Sequence, residues 1–241
     1  MSVLIVVPSR LGSTRFPKKV LALLDGKPIV RWCWEAAKAA GVGDVLIATE
    51  AKDVADVVKS FGGQAVLTSA NCQSGTDRVF EAAKGRRDEF VINVQGDAPF
   101  IKPETIRSVV DLLQKDRMVD IATAVMPLVD QERIKNPNVV KAVMNDKGRC
   151  LYFSRSPIPF PRNPATAKYW EHIGIYGFRR EALERFVKLP PSPLELSESL
   201  EQLRALEAGM QISSTIVDEL PVAIDTEEDL SRAESILRRT P

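Results

Sequence analysis

The sequence predicts a mostly parallel, Rossmann-like α/β sheet with helices on both faces and one antiparallel insertion. Apolar, β-branched runs alternate with helical patterns through the first part of the chain, which is typical of βαβ units. The runs at 3–7 and 90–94 are almost entirely apolar, as expected of strands that are covered on both faces. From residue 121 the rhythm changes to strand-like runs joined by turns, and this change predicts the insertion.

Turn and capping residues place the other elements. Gly41 and the Gly62-Gly63 pair each follow a helical pattern and are expected to end it. Helices are therefore predicted at 28–40, 53–60 and 102–115, with strands at 44–49 and 65–67. The antiparallel strands are predicted at 121–128, 139–144, 149–154 and 169–178, and the last strands at 211–217 and 221–224.

Three helix starts follow from capping patterns. Thr76 or Asp77 is available to cap the helix that follows the polar stretch 68–78. Ser192 and Glu195 form a capping box, and that helix is expected to continue to Ala208. The final helix begins after residue 225, with the residue at 225 or the threonine after it as its cap.

The length of the chain bounds its organisation. At 241 residues it can form one large domain or one domain with an appendage. We expect one intertwined domain in three parts. Residues 1–120 form the main α/β part and 121–178 the antiparallel insertion, a candidate dimerisation arm or lid. Residues 179–241 complete the main part.

Composition and charge exclude several classes of protein. Hydrophobic residues make up 44% of the chain, enough for a substantial core. A net charge of +1 disfavours general binding to nucleic acid or to a membrane surface. The 3 cysteines have no metal-binding or disulfide spacing, and no apolar run approaches the length of a membrane span. We therefore expect a cytoplasmic protein in a reducing compartment.

A basic loop follows the first strand and is the strongest local indication of a ligand. Pro8 ends the strand, and the loop then combines small residues at 12–14 with four cations at 10, 15, 18 and 19. Small residues let backbone N–H groups approach a ligand closely, and the cations suit a polyphosphate. Neither a Walker A motif nor a dinucleotide fingerprint is present. A solvated basic loop is the alternative interpretation.

Acidic and aromatic residues elsewhere allow both a functional and a structural interpretation. Asp97 follows the strand at 90–94 and could hold a divalent cation beside phosphates, or it could be a turn residue before Pro99. Asp225 could bind the same cation or cap the last helix. His172, the single histidine, lies on one strand face with Tyr176, and an isolated histidine in apolar surroundings is usually structural.

Seven motifs occur in order along nearly the whole chain. They are Arg10 with Ser-Thr-Arg15-x-Pro-x-Lys19, Gln73-Ser-Gly-Thr-Asp-Arg78, Val94-Gln-Gly-Asp97-x-Pro99, Leu151-Tyr-Phe-Ser-Arg155-x-x-Ile-Pro159, His172-x-Gly-Ile-Tyr-Gly177, Leu194-Glu-x-x-Glu-x-Leu-Glu-Gln-Leu-Arg204 and Asp225-Thr-x-Glu-Asp229. Together they resemble the 3-deoxy-D-manno-octulosonate (Kdo) cytidylyltransferases, also called CMP-Kdo synthetases.

The resemblance implies a nucleotidyltransferase sheet and a reaction. CTP and Kdo would give CMP-Kdo and pyrophosphate for lipopolysaccharide biosynthesis. The anomeric hydroxyl would attack the α-phosphate with the help of Mg²⁺, which neutralises the repulsion between two anionic substrates. A cytoplasmic homodimer with the insertion at its interface is also implied, and no covalent nucleophile is required.

The resemblance also assigns the residues. Those expected to bind the nucleotide are Arg10, Gly12, Ser13, Lys19, Ser74, Arg78 and Gln95. Those expected to bind the sugar acid are Arg15, Gln95, Arg155, His172, Tyr176, Glu201 and Gln202. The metal would be held by Asp97 and Asp225, and the catalytic group would comprise Arg15, Lys19, Asp97 and Asp225.

Four positions depart from the residues common in the family: Lys18, Cys72, Ala98 and Ala223. Ala98 and Ala223 each lie close to a proposed metal carboxylate. They keep two alternatives open, namely a Kdo variant such as the 8-amino-8-deoxy sugar, and a CTP-binding protein with weakened catalysis. A third alternative, a cytidylyltransferase for another sugar acid such as a sialic acid, is disfavoured by the segments at 172–177 and 200–204.

Overall fold

The computed structural model describes residues 1–12, 16–218 and 223–238. Within these ranges the strands are β1 (Val3–Pro8), β2 (Leu23–Leu24), β3 (Lys27–Pro28), β4 (Asp44–Thr49), β5 (Gln64–Leu67), β6 (Phe90–Asn93), β7 (Ile121–Leu128), β8 (Lys141–Met144), β9 (Cys150–Ser154), β10 (Tyr169–Arg179) and β11 (Ile212–Ile216). The α-helices are α1 (Ile29–Ala39), α2 (Lys52–Ser60), α3 (Gly75–Ala83), α4 (Pro103–Lys115), α5 (Gln131–Lys135), α6 (Arg180–Phe186), α7 (Pro193–Glu198), α8 (Gln202–Glu207) and α9 (Glu227–Leu237).

The chain forms two compact units. The first contains residues 1–107 and 221–241, and the second contains residues 108–220, so the boundary falls inside α4. The three-part division expected from the sequence stays a prediction.

The first unit is built on a parallel sheet in the order β6–β1–β4–β5. Strand β1 is central, and its residues Val3 to Val7 are buried. Helices α1, α2 and α3 pack around this sheet, which explains why a strand without polar alternation is stable here. The predicted βαβ pattern is confirmed for this unit.

Two capping boxes fix the helices that matter for the site. Ser74, not Thr76 or Asp77, caps α3: its hydroxyl accepts from the Asp77 N–H at 3.1 Å, and the Asp77 carboxylate accepts from the Ser74 N–H at 3.1 Å. Thr226 caps α9 through the same exchange with Asp229. The sequence analysis placed this cap two or three residues late. Asp77, which it considered as a cap, is the third residue of the helix and completes the box with Ser74.

The second unit contains the predicted antiparallel strands. Strand β7 pairs with β10 antiparallel and with β11 parallel, while β8 pairs antiparallel with both β9 and β10. The β7–β10 register shifts between Ile173 and Tyr176. A small apolar cluster of Leu128, Ile134 and Val139 packs against Tyr169 at one end of these strands.

The prediction of one helix from 193 to 208 is wrong in one respect, because this segment forms two helices. Ser192 and Glu195 do form the predicted capping box at the start of α7. Ser199 then adopts a left-handed conformation (φ 51°), which ends α7, and α8 begins three residues later. A left-handed residue cannot continue a right-handed helix, and no glycine marks the break in the sequence.

None of the described helices is long and apolar enough to cross a membrane.

Candidate active site

The first unit contains a cleft of about 710 Å³ at the carboxyl ends of its parallel strands, where α/β sheets commonly bind ligands. It is lined by eight of the residues that the sequence proposes for nucleotide, metal or catalysis. These are Arg10, Gly12, Lys19, Ser74, Arg78, Gln95, Asp97 and Asp225. Ser13 and Arg15, which were proposed for the same site, lie outside the described residues.

Lys19 lies between the two carboxylates. Its Nζ donates to Asp97 Oδ2 at 3.0 Å and to Asp225 Oδ1 at 2.8 Å. The Lys19 side chain is 11% exposed, and burial by itself lowers the pKa of its ammonium. The attraction of Asp97 and Asp225 outweighs burial, so the pKa of Lys19 is raised and the lysine stays charged. Two carboxylates that would repel each other are thus held together by one cation.

The position of Asp225 follows from contacts at both ends of its segment. The Ile224 N–H donates to the Asp97 main-chain oxygen at 2.8 Å, which joins the segment to the loop after β6. Because Thr226 provides the helix cap, the Asp225 side chain is available to contact Lys19. Of the two roles open for Asp225 in the sequence, the capping role therefore belongs to its neighbour.

The loop that carries Asp97 is held by close packing. A Cβ atom added to Gly96 would come within 2.4 Å of the Pro8 main-chain oxygen, so only glycine allows this approach. On the other side, the buried Cys33 thiol donates to the Gly96 main-chain oxygen at 3.4 Å. Burial raises the pKa of this thiol, and it stays protonated.

Arg78 and Ser74 lie on the first turns of α3, whose N-terminus opens onto the cleft. The Arg78 side chain is 6% exposed, and its guanidinium donates to Thr68 Oγ1 at 2.6 Å. It also forms an ion pair with Glu50, whose Oε2 lies 3.0 Å from Arg78 Nη1. A helix N-terminus with a nearby arginine suits an anionic or hydrogen-bonding ligand.

In the second unit, His172 lies in an aromatic environment on β10. Its ring centroid is 4.9 Å from that of Phe153 and 5.4 Å from that of Tyr176. Its Nε2 is 2.9 Å from the Thr123 hydroxyl. Burial lowers the pKa of His172 to about 3, so the imidazole is neutral at neutral pH. Burial, and then the nearby Glu201 carboxylate, raise the pKa of Tyr176.

Arg155 is held by the main chain. Its guanidinium donates to the carbonyl oxygens of Glu198 at 2.7 Å, Pro137 at 2.9 Å and Ser199 at 3.3 Å. The Glu198 carboxylate in turn accepts from the Ser154 hydroxyl at 2.6 Å and from the Arg155 N–H at 3.0 Å. This network fixes the arginine against the break between α7 and α8.

Gln202 begins α8 and is 5% exposed. Its Nε2 atom is buried and has no hydrogen-bond partner in the part of the chain that the structure describes. A buried amide without a partner is costly. The group is therefore suited to a ligand that supplies an acceptor.

Sequence reasoning missed Glu50, Thr123, Thr68 and Glu198. Glu50 had a usable signal, because it directly follows strand β4 at the edge of the sheet where the cleft lies. Thr123 and Thr68 gave none, since a threonine in or beside a strand is common.

The fold and the cleft define a nucleotide-binding α/β transferase, and residues 4–212 match a family model described as cytidylyltransferase. A 3-deoxy-manno-octulosonate cytidylyltransferase of Elusimicrobium minutum is 54% identical over 239 residues, with 98% of each chain covered. The one of Chloroherpeton thalassium is 48% identical over 243 residues, with 99% of each covered. The chain belongs to the 3-deoxy-manno-octulosonate cytidylyltransferase family.

A solved structure agrees with this assignment. CMP:2-keto-3-deoxy-manno-octonic acid synthetase complexed with CTP matches with a TM-score of 0.97 at 37% identity, and 100% of each chain is covered. The predicted fold class and the resemblance stated from the motifs are both confirmed.

Proposed function

We propose that this chain is a nucleotidyltransferase that activates Kdo, converting CTP and 3-deoxy-D-manno-octulosonate to CMP-Kdo and pyrophosphate. Relatives that align with this chain over nearly their full lengths are named for this activity. The structural observation that carries the proposal is the Lys19 ammonium, which lies between Asp97 and Asp225 in the cleft. The product would serve lipopolysaccharide biosynthesis, and the reaction would take place in the cytoplasm, where CTP is available.

The triphosphate would be bound by Arg10, Gly12 and Lys19, together with Ser13 and Arg15. Lys19 is the best supported of these, because its pKa is raised and its charge is permanent at neutral pH. It would stabilise the negative charge that moves onto the departing pyrophosphate. Arg15 is proposed for the same catalytic role and for the sugar acid.

Ser74, Arg78 and Gln95 would lie beside the cytidine, with Gln95 also reaching the sugar acid. The support for Arg78 is its fixed guanidinium at the edge of the cleft. Guanidinium N–H donors suit the carbonyl and ring-nitrogen acceptors of a cytosine.

Mg²⁺ is the expected metal, and the donor set fits it. The Asp97 and Asp225 carboxylates already hold the Lys19 ammonium between them. One or two carboxylates together with substrate phosphates are the typical ligands of Mg²⁺. Among residues 1–12, 16–218 and 223–238 no cluster of three metal-binding side chains occurs, so substrate oxygens would complete the coordination. When bound, the metal would supply charge neutralisation between the two anionic substrates.

The sugar acid would be held by Arg155, His172, Tyr176, Glu201 and Gln202. Arg155 has five N–H donors, and the three contacts to main-chain oxygens leave two for a carboxylate. Gln202 would give its buried amide to a sugar hydroxyl. His172 would act as a neutral hydrogen-bonding group, since its pKa lies far below neutral pH.

Direct attack by the substrate hydroxyl agrees with the state of the cysteines. Cys33 and Cys150 are buried, and burial raises the pKa of both thiols. Cys72 lines the cleft, but burial and then the hydrogen bond to Glu81 raise the pKa of its thiol to about 11. A thiol in that state is a poor nucleophile at neutral pH.

We also propose a homodimer, with residues 121–178 at its interface. The support is the exposed apolar side chains that this segment presents, among them Leu151 and Phe160. Sedimentation of the purified chain would test the association directly.

The test of the activity is a panel of sugar acids incubated with CTP and Mg²⁺, read by pyrophosphate release. We expect release with Kdo and none with a sialic acid. Release with the 8-amino-8-deoxy sugar alone would replace the substrate but keep the chemistry, the alternative that Ala98 and Ala223 motivate. CTP binding by calorimetry without release on any sugar would leave a nucleotide-binding protein and refute the enzyme.

A further inference from the structure

We propose that Glu50 is a positioning residue that links Leu11, near the start of the basic loop, to Arg78 of helix α3 and so sets the shape of the nucleotide cleft. The inference rests on the proposed function for its ligand, CTP. The carboxylate makes two contacts, one to Leu11 of the loop and one to Arg78 of the helix.

Glu50 lies where a positioning residue is effective. It follows β4 directly, lines the cleft, and has a side chain that is 20% exposed. The strand before it is buried and parallel-paired on both sides, with β1 and with β5. Its carboxylate is thus attached to a rigid part of the unit.

The first contact is to Leu11, near the start of the basic loop. Glu50 Oε1 accepts from the Leu11 N–H at 2.8 Å. The Leu11 carbonyl oxygen accepts from the Lys18 N–H at 3.3 Å. Leu11 therefore contacts both Glu50 and Lys18, and Arg10 and Gly12 flank it in the sequence. Holding Leu11 fixes the point from which both neighbours approach the phosphates.

The second contact is to Arg78. The guanidinium Nη1 is 3.0 Å from Glu50 Oε2, and it also donates to Thr68 Oγ1 at 2.6 Å. Thr68 is itself held to the strand end, because its N–H donates to the Thr49 carbonyl oxygen at 2.8 Å. A nearly buried guanidinium needs a counter-charge, and Glu50 supplies it. One carboxylate thus joins the phosphate side of the cleft to the nucleoside side.

The charge of Glu50 makes the positioning role separable from an electrostatic one. A carboxylate in a cleft that receives a triphosphate repels the ligand. If Glu50 acted through charge alone, its neutralisation would tighten CTP binding. If it positions the loop and Arg78, its removal weakens CTP binding in spite of the lost repulsion. The two roles predict opposite signs.

The experiment compares Glu50→Gln and Glu50→Ala in the full chain, with CTP affinity measured by calorimetry and KM measured with Kdo. Glutamine keeps an oxygen for the Leu11 N–H and loses the charge toward Arg78, while alanine loses both contacts. We expect Kd and KM for CTP to rise about tenfold or more for alanine and less for glutamine, on the scale of a hydrogen bond to a charged group. KM for Kdo should change less than twofold, because neither Leu11 nor Arg78, the residues that Glu50 contacts, is proposed to bind the sugar acid.

Glu35→Ala is the matched control. Glu35 also pairs with two cations, Lys27 at 3.0 Å and Arg31 at 2.8 Å, in the same unit, and it is not among the residues that line the cleft. Its loss should leave CTP affinity unchanged. Circular dichroism checks that each variant is folded, and the glutamine variant decides the outcome if alanine at position 50 prevents folding.

Unchanged or tighter CTP binding in the folded Glu50 variants overturns the proposal. The proposed function fails separately, by the absence of pyrophosphate release from the unsubstituted chain. CTP affinity reports on Glu50 even in that case.

Discussion

Replacing His172 by glutamine removes the single histidine of the chain and tests whether its burial controls the pH dependence of stability. In the folded protein burial lowers the pKa of His172 to about 3, against an ordinary value of about 6.5 for an exposed imidazole. Above the ordinary value both states are neutral, and stability is unaffected. Between pH 6.5 and pH 3 the unfolded chain binds one more proton than the folded chain, so stability falls as the pH falls.

The two pKa values give the size of the effect. At about pH 5.5, one unit below the ordinary value, protonation of the unfolded imidazole costs the folded state about 1.4 kcal/mol relative to pH 7.5. For a chain of this length that free energy corresponds to a fall in Tm of about 3–5 °C. The surroundings of His172 explain the low pKa, since two aromatic rings and a threonine hydroxyl provide no counter-charge among its described contacts.

The assay is urea unfolding at pH 7.5 and pH 5.5 for the original chain and for His172→Gln. Carboxylates such as Glu195 and Asp229, whose pKa values are lowered although burial opposes it, titrate alike in both proteins and cancel in the comparison. We expect the original chain to lose about 1.4 kcal/mol more than the variant between the two pH values. Equal losses in the two proteins would refute the reasoning.

Two further substitutions test the cleft. Lys19→Met should lower stability by about 1–3 kcal/mol without metal, since Asp97 and Asp225 would lose the ammonium that attracts both carboxylates. Mg²⁺ should then raise Tm more in this variant than in the original chain, and an equal rise would contradict a shared cation position. Gly96→Ala should lower Tm and reduce turnover more than tenfold, because its Cβ would come within 2.4 Å of the Pro8 oxygen and displace the loop. Unchanged kinetics and thermal melting would show that the loop adapts.

Much of the fold was predictable because its signals are local. The apolar run of β1 lies in a parallel sheet as expected, and the change of rhythm at residue 121 marks the start of β7. Glycines and capping residues gave most helix ends. The errors were also local: Ser74 rather than a later residue caps α3, and Ser199 breaks a helix without a glycine.

The sequence predicted which residues line the candidate site, but it did not predict which of them contact each other. Eight of the proposed residues line one cleft, since they follow strands or open helices at the same sheet edge. Glu50 was overlooked, although its position after β4 obeys the same rule. Its partners are Leu11, in the loop after β1, and Arg78, in helix α3, and a single sequence gives no measure of such pairings.

By itself, the sequence determined the class of fold, the family motifs and the residue types that the chemistry requires. The tertiary structure decided which groups meet. Lys19 contacts Asp97 and Asp225 across 78 and 206 residues of chain, and the Ile224 N–H holds the segment of Asp225 by donating to the Asp97 carbonyl oxygen. Contacts of that separation form through packing and main-chain hydrogen bonds after the local elements exist, so neither spacing nor periodicity encodes them.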